Sequence, residues 1–158
     1  MRGIDTVCAT SGAANASANR ILRVSNIVTP ESTEQVIAAS TFHFAGTYVW
    51  VSAHEVRNPE KHFMITRDEK EVTVVTLEEN LADVDVIERN RDRWSLVAID
   101  CANPFYCVGF IAKMSAALSN AGLDILAVST FSRDCVFVKE GDEEHAAAAL
   151  RRAGFVER

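Results

Sequence analysis

Apolar and polar positions organise the C-terminal half of the chain most clearly. Trp94-Ser95-Leu96-Val97-Ala98-Ile99-Asp100 reads as a strand, stopped by Asn103-Pro104. Ile111, Met114, Leu118 and Ala121 then recur at spacings of three and four. That period predicts a helix from about 107 to 120, with one apolar stripe and with Lys113 and Asn120 facing away. Asn120-Ala121-Gly122 ends it. Residues 123–131 form a second strand, Ser132-Arg133-Asp134 a tight turn, and 135–139 a third strand. Gly141-Asp142-Glu143-Glu144 opens a second helix, where Asp142 is placed to cap backbone N–H groups and the acids oppose the dipole. Ala146, Ala149, Leu150 and Ala153 line one side of it, and Phe155-Val156 adds a last strand.

The order β-α-β-β-α-(β) is the split βαβ arrangement of an α+β, ferredoxin-like fold. Its helices cover only one face of the sheet. Yet strand 123–131 is apolar on both faces, with Leu123, Ile125, Ala127 and Phe131 alternating with Leu126 and Val128. A second layer is therefore required, from the N-terminal half or from another subunit.

The N-terminal half is less regular. Thr29 before Pro30, with Glu31 and Glu34 following, marks a helix start that runs into Val36-Ile37-Ala38-Ala39. From 41 to 56 the pattern is extended: Thr41-Phe42-His43-Phe44, a break at Ala45-Gly46, then Thr47-Tyr48-Val49-Trp50-Val51-Ser52. Asn58-Pro59-Glu60-Lys61 is a loop. His62-Phe63-Met64-Ile65-Thr66 and Glu71-Val72-Thr73-Val74-Val75-Thr76 flank a polar turn and predict a hairpin. Residues 78–93 are acidic and then basic, with Leu81, Val84, Val86 and Ile87 as the apolar anchors, and read as a connector.

The two hairpins align without gaps at an offset of 63: Phe63-Met64-Ile65-Thr66 lies over Leu126-Ala127-Val128-Ser129, and Val72-Thr73-Val74-Val75 over Cys135-Val136-Phe137-Val138. This points to duplicated modules. The first copy lacks room for a helix after its first strand, because only 55–61 is available there.

Composition narrows the function classes. The 158 residues are 48% hydrophobic and carry a net charge of -6, enough apolar material for a core and too acidic, without Lys/Arg clusters, for a protein built to coat nucleic acid or anionic membrane. No apolar run approaches the ~20 residues needed to cross a bilayer. Residues 1–19, rich in Ala, Ser, Thr and Asn, read as a mobile tail; they weakly resemble a transit peptide, against which Asp5 and the sparse arginines speak. Cysteines at 8, 101, 107 and 135 form no Cys-x-x-Cys, and His43, His54, His62 and His145 are scattered, so buried reduced thiols are expected and no metal site. Neither a Gly-x-Gly-x-x-Gly nor a Walker-type phosphate loop is present, and no Gly-x-Ser-x-Gly elbow.

Two features carry candidate chemistry. A helix start at Gly109 offers unpaired N–H groups to an anion, against the alternative that Gly109 only permits close helix–strand packing. Asp134 is either a turn residue or the acid that meets a ligand amine; Asp100 ranks below it in that role. Cys107 near the helix start is either a buried structural thiol or an activated nucleophile.

The stretch 94–155 resembles the ACT-domain family. Its Pro104-Phe105 loop, Gly109 at the helix start, Ala121-Gly122 at the helix end and Ser129-Thr130-Phe131-Ser132-Arg133-Asp134 before an apolar strand carry the likeness. It is most similar to small tandem-ACT proteins related to the CASTOR amino-acid sensors. The resemblance implies ferredoxin-like βαββαβ modules in tandem, the first incomplete: an extension, partly disordered, over 1–40, a degenerate ACT-like module over 41–90 and an ACT domain over 91–158. It further implies a non-catalytic, cytoplasmic regulatory protein, a homodimer, with no cofactor, nucleic acid or membrane partner. It places an amino acid or similar metabolite at a module or subunit interface, with Phe105, Tyr106, Val108 and Gly109 in the loop and helix start and Thr130, Phe131 and Asp134 at the second strand's end. Tyr106 departs from the small residue usual before this helix. A ligand-free interaction or oligomerisation module is the other expectation.

Overall fold

The computed structural model describes residues 30–102 and 107–158. The expected tail at 1–19, Cys8, the Thr29 cap, the Asn103-Pro104 stop, Phe105 and Tyr106 lie outside the described residues.

Helix α1 (Pro30–Ala39) leads into strand β1 (Thr41–Val56), which is 16 residues long and central to the molecule. A 3-10 turn (Pro59–Lys61), β2 (Met64–Arg67), β3 (Val72–Thr76), a second 3-10 turn (Glu78–Asp83) and β4 (Val84–Arg89) follow. Then come β5 (Trp94–Asp100), α2 (Phe110–Ser119), β6 (Ile125–Ser129), β7 (Asp134–Lys139), α3 (Glu143–Arg152) and β8 (Val156–Glu157). The strands form one sheet in the order β2-β3-β1-β5-β7-β6, with β4 and β8 also paired to β1.

Strand β1 serves two modules at once. Its first half pairs antiparallel with β5, from Thr41 opposite Asp100 to Tyr48 opposite Trp94, and in parallel with β8. Its second half pairs with β3 and, on the other edge, with β4. The first module thus has the strand order β2-β3-β1-β4. The second has β6-β7-β5, with the first half of β1 inserted between β5 and β8. This is the expected α+β arrangement, and its first module is the incomplete one, since 3-10 turns stand where the second module has α2 and α3.

Register shows what is missing. Val51 pairs with Val74 in the first module and Leu96 with Phe137 in the second. The hairpins are offset by 63 (137 − 74) and the first strands by 45 (96 − 51), so the second module has 18 more residues between strand and hairpin, the segment that holds α2.

A one-residue bulge divides β1. Phe44 lies opposite Val97, but Thr47 lies opposite Ser95. One extra residue in a period of two moves every later side chain to the opposite face. Phe42 and Phe44 consequently face the helices, whereas Tyr48 and Trp50 face the β2–β3 hairpin. Gly46, at φ +102°, accommodates the irregularity.

Two cores result on the two faces of β5–β7. On one, Val97, Ile99, Val136 and Val138 pack under Ile37 of α1, Phe110, Met114 and Leu118 of α2, and Ala146 and Leu150 of α3. On the other, Leu96, Cys135 and Phe137 meet Val75, Phe63 and Met64 of the first module. The second face of strand β6 is therefore covered within the chain, where Leu126 and Val128 join this cluster. A smaller core of Val51, Ala53, Val72, Val74 and Val84 holds the far end of the first module, with Leu81 against it.

Four local expectations are corrected. Helix α2 begins at Phe110, not near 107, because Gly109 has the left-handed φ of +85°. Its buried stripe is Phe110, Met114 and Leu118, and Ile111 is 48% exposed. Asp142 makes no side-chain cap on α3; the Glu143 carboxylate accepts from the Gly141 N–H at 2.8 Å and from the Ser95 hydroxyl. The connector at 78–93 contains a true strand, β4, whose Val86 and Ile87 stay exposed at an edge.

Candidate ligand-binding site

The end of the sheet where β5 finishes and β7 begins gathers most of the described candidates. Asp134 pairs with both Ile99 and Ser129, so all three share one face, the face that α2 covers. The Ser129 hydroxyl donates to Asp134 Oδ1 at 2.6 Å. Helix α2 starts on this same face, with Phe110 in the core beside Ile99.

Gly109 has no atom within 4 Å of where a Cβ would stand. Close packing is therefore not the reason for this glycine; its positive φ is. Val108 is 64% exposed, and its carbonyl accepts from Thr33 Oγ1 at 2.8 Å, which ties α1 to the approach of α2. Phe131, at the tip of the β6–β7 hairpin, is 84% exposed. Thr130 closes that tip: its N–H donates to the Arg133 carbonyl at 2.8 Å and its hydroxyl to the same oxygen at 3.2 Å.

A cleft of about 470 Å³ opens on the opposite face. Ala45, Tyr48 and Phe63 line it from the first module and from β1; Leu96, Ala98, Thr130, Ser132, Arg133 and Cys135 line it from the second. It exists because of the bulge, which turns Tyr48 toward the hairpin face, and because Ala45 and Ala98 leave space where larger residues would fill it. Of the seven residues expected at the site, Thr130 borders this cleft, whereas Val108, Gly109, Phe131 and Asp134 do not. The turn Thr130-Phe131-Ser132-Arg133 joins the two regions.

The cleft has uneven polarity. Tyr48, Phe63, Leu96 and the alanines make one side apolar, and the Tyr48 hydroxyl donates to the Ala45 carbonyl at 3.3 Å. Burial, reinforced by Cys135, pushes the Tyr48 phenol above its ordinary value, and burial chiefly pushes the Cys135 thiol up, so both stay neutral at pH 7. Arg133 supplies the one charge among the described residues of the lining. Its Nε donates to Asp100 Oδ1 at 2.7 Å, and Asp100 also accepts from Arg158. One carboxylate thus faces two guanidinium groups. Near the bulge, His43 Nδ1 and Trp50 Nε1 are buried without a hydrogen-bond partner among the described residues.

Sequence reasoning missed Tyr48, Phe63, Ser132 and Arg133 as site residues. An isolated glycine inside a strand pattern, at Gly46, was the available signal, since such a glycine marks a bulge. Cys107, the alternative nucleophile, is half-buried and packs against the helix-side core. No described helix is long and apolar enough to cross a membrane.

The family model for the ACT domain matches residues 89–152. No protein of curated function matches the sequence. Among solved structures, a protein of unknown function from Vibrio cholerae, described as a possible transport protein, is similar with a TM-score of 0.67 at 19% identity, covering 78% of this chain and 97% of that one. A protein from Agrobacterium tumefaciens is similar at 27% identity with a TM-score of 0.59, over 75% of this chain and 92% of its own. The ligand-free regulatory subunit of aspartate kinase from Thermus thermophilus is similar at 16% identity with a TM-score of 0.51, over 71% of this chain and 95% of its own. The chain has the fold of ACT domains, and the family's own pattern lies on its second module.

Proposed function

We propose that this chain is a non-catalytic regulatory protein that binds a small molecule, an amino acid or similar metabolite, between its two modules. The cleft of about 470 Å³ carries the reading, because both modules contribute to its walls. Ligand pockets of this kind combine an apolar lining with a few convergent polar groups, here Thr130, Ser132 and Arg133. A ligand bridging the modules would favour one arrangement of them over another, which is what regulation by binding requires.

The helix-side residues belong to the same reading. Phe131 and Asp134 lie in or next to the turn that borders the cleft, and Val108 and Gly109 open α2 on the other face of the sheet; with Phe105 and Tyr106, which precede them in sequence, they are proposed to contribute to binding. Kinship with the tandem-ACT relatives of the CASTOR sensors, a homodimeric state and a cytoplasmic setting complete the proposal. The aspartate kinase regulatory subunit supports it as a fold-level precedent.

Thermal-shift titration with the amino acids and their simple derivatives tests it. A saturating rise in melting temperature is expected, reduced in Thr130→Val and Arg133→Gln. A flat response to all of them counts against the proposal.

One observation favours a second reading, a ligand-free association module: Val108, Ile111 and Phe131 expose large apolar side chains at 64%, 48% and 84%. That reading expects a dimer in light scattering that no metabolite perturbs and that Ile111→Glu dissociates.

A further inference from the structure

The charge balance of the cleft narrows the class of ligand, and this narrowing rests on the small-molecule reading above. A zwitterionic amino acid needs a cation for its carboxylate and an acid for its ammonium group. Among the described residues the lining holds Arg133 and no acid. Asp134, the carboxylate that the sequence offers for an amine, shares its face with Ile99 and Ser129, on the helix side of the sheet. Asp100 alternates with Ile99 and so stands on the cleft's side, but it is already shared between Arg133 and Arg158. No described acid on this side is left for an ammonium group.

The positive side is better provided. Arg133 engages Asp100 through Nε, and its Nη groups make no hydrogen bond among the described residues. Because Asp100 is shared, the trio of one carboxylate and two guanidiniums keeps an excess positive charge. The Ser132 hydroxyl, in the lining, likewise has no hydrogen-bond partner among the described residues. The same lining includes Phe63, Leu96, Ala45 and Ala98, whose side chains suit a hydrocarbon body and offer nothing to a polar one. An ammonium group meets no acidic partner there among the described residues.

We infer that the cleft recognises a carboxylate with an apolar body and does not require an α-amino group, the carboxylate facing Arg133 and Ser132 and the hydrocarbon facing Phe63 and Leu96. The ligand class is that of short branched or aryl-substituted monocarboxylic acids, including 2-oxo acids, which amino-acid deamination yields.

Isothermal titration of the 158-residue chain with matched pairs decides the matter: leucine against 4-methylpentanoate, phenylalanine against 3-phenylpropanoate, and 4-methylpentanamide as the uncharged control. The acid is expected to bind at least as tightly as its amino acid and about tenfold or more above the amide, and Arg133→Gln is expected to erase the acid's advantage over the amide, with Arg133→Lys restoring part of it. Binding of the amino acids alone would overturn this inference and leave the regulatory reading standing. Equal binding of acid and amide would also overturn it, since the guanidinium would then play no part. Absence of binding by every compound would remove both. The wild-type comparison stands whether or not the variants fold.

Discussion

Asp100 Oδ1 accepts a hydrogen bond from Arg133 Nε at 2.7 Å, across the end of the sheet where β5 and β7 meet. The same carboxylate accepts from Arg158, which follows β8, so one side chain ties the β6–β7 turn to the C-terminal strand. All three groups are partly exposed, so the network is worth little more than an ordinary surface pair, about 1 kcal/mol. Asp100→Asn is therefore expected to lower the melting temperature by only a few degrees, on the order of 2–4 °C per kcal/mol. It is also expected to release Arg133 toward an anion in the cleft. Tighter carboxylate binding in Asp100→Asn than in the wild type, measured by titration, is the predicted outcome; weaker binding would mean that Asp100 holds Arg133 in its working position.

The two modules are joined by an aromatic cluster. Phe137 of β7 meets Tyr48, Trp50 and Phe63 with ring centroids 5.9, 5.6 and 5.5 Å away, each near edge-to-face. Phe137 is fully buried. Phe137→Ala is expected to destabilise the fold by about 3–5 kcal/mol, the usual range for a buried phenylalanine. Phe63→Ala, at the rim, is expected to cost less. Urea unfolding of both single variants and the double variant should give a coupling of roughly 0.5–1.5 kcal/mol. A coupling near zero would show that Phe63 contributes area and no specific contact, and that the modules are less firmly joined than the distances imply.

The second module was legible in the sequence because each of its signals is local. A bulky strand at 94–100, a helical period through Met114 and Leu118, and an acidic opening to α3 each depend on neighbours within a few residues. What escaped depends on pairing across the chain. No window around 41–56 reveals that one strand serves two modules, because that follows from register with β3 and β5. Strand β4 was hidden because an edge strand leaves Val86 and Ile87 exposed among acids, so its alternation is weak. The site was only half readable for the same reason. The motif at 129–134 draws attention to a turn that borders the cleft, but Tyr48 and Phe63 reach the cleft only through the bulge and the hairpin fold-back.

The bulge in β1 makes a sharp prediction. At Gly46 a Cβ would meet Tyr48 Cε2 at 3.7 Å and Leu77 Cδ2 at 3.9 Å, ordinary contacts, so crowding does not oppose substitution. The φ of +102° does. Gly46→Ala is thus expected to cost about 1–3 kcal/mol through backbone strain alone. Deleting Gly46 is expected to be far worse, because it would turn Tyr48 and Trp50 toward the helices and send the side chains beyond them to the wrong face. Tryptophan fluorescence separates the outcomes: Gly46→Ala should keep the native emission of Trp50 and lose stability, whereas the deletion should red-shift the emission. A deletion variant with native emission would mean that the strand re-registers elsewhere.

Glu143 gives the fold a pH-dependent element at the start of α3. Burial alone would raise its carboxyl, but the hydroxyl of Ser95 and the backbone N–H groups of Glu143 itself and of Gly141 donate to the ionised form and outweigh it. The net pKa lies below the ordinary 4.5. A carboxyl depressed by folding binds fewer protons in the native state than in the unfolded chain, so it stabilises above the unfolded value and loses that contribution as the pH falls through the folded one. Glu143→Gln keeps the shape and removes the charge. It is expected to unfold at lower urea than the wild type at pH 7, by about 1 kcal/mol. The difference should narrow as the pH falls below 4.5 and through the depressed native value, because the wild-type side chain then becomes neutral as well. A gap that stays constant through that window would show that the charge of Glu143 contributes nothing and that only its hydrogen-bonding shape matters.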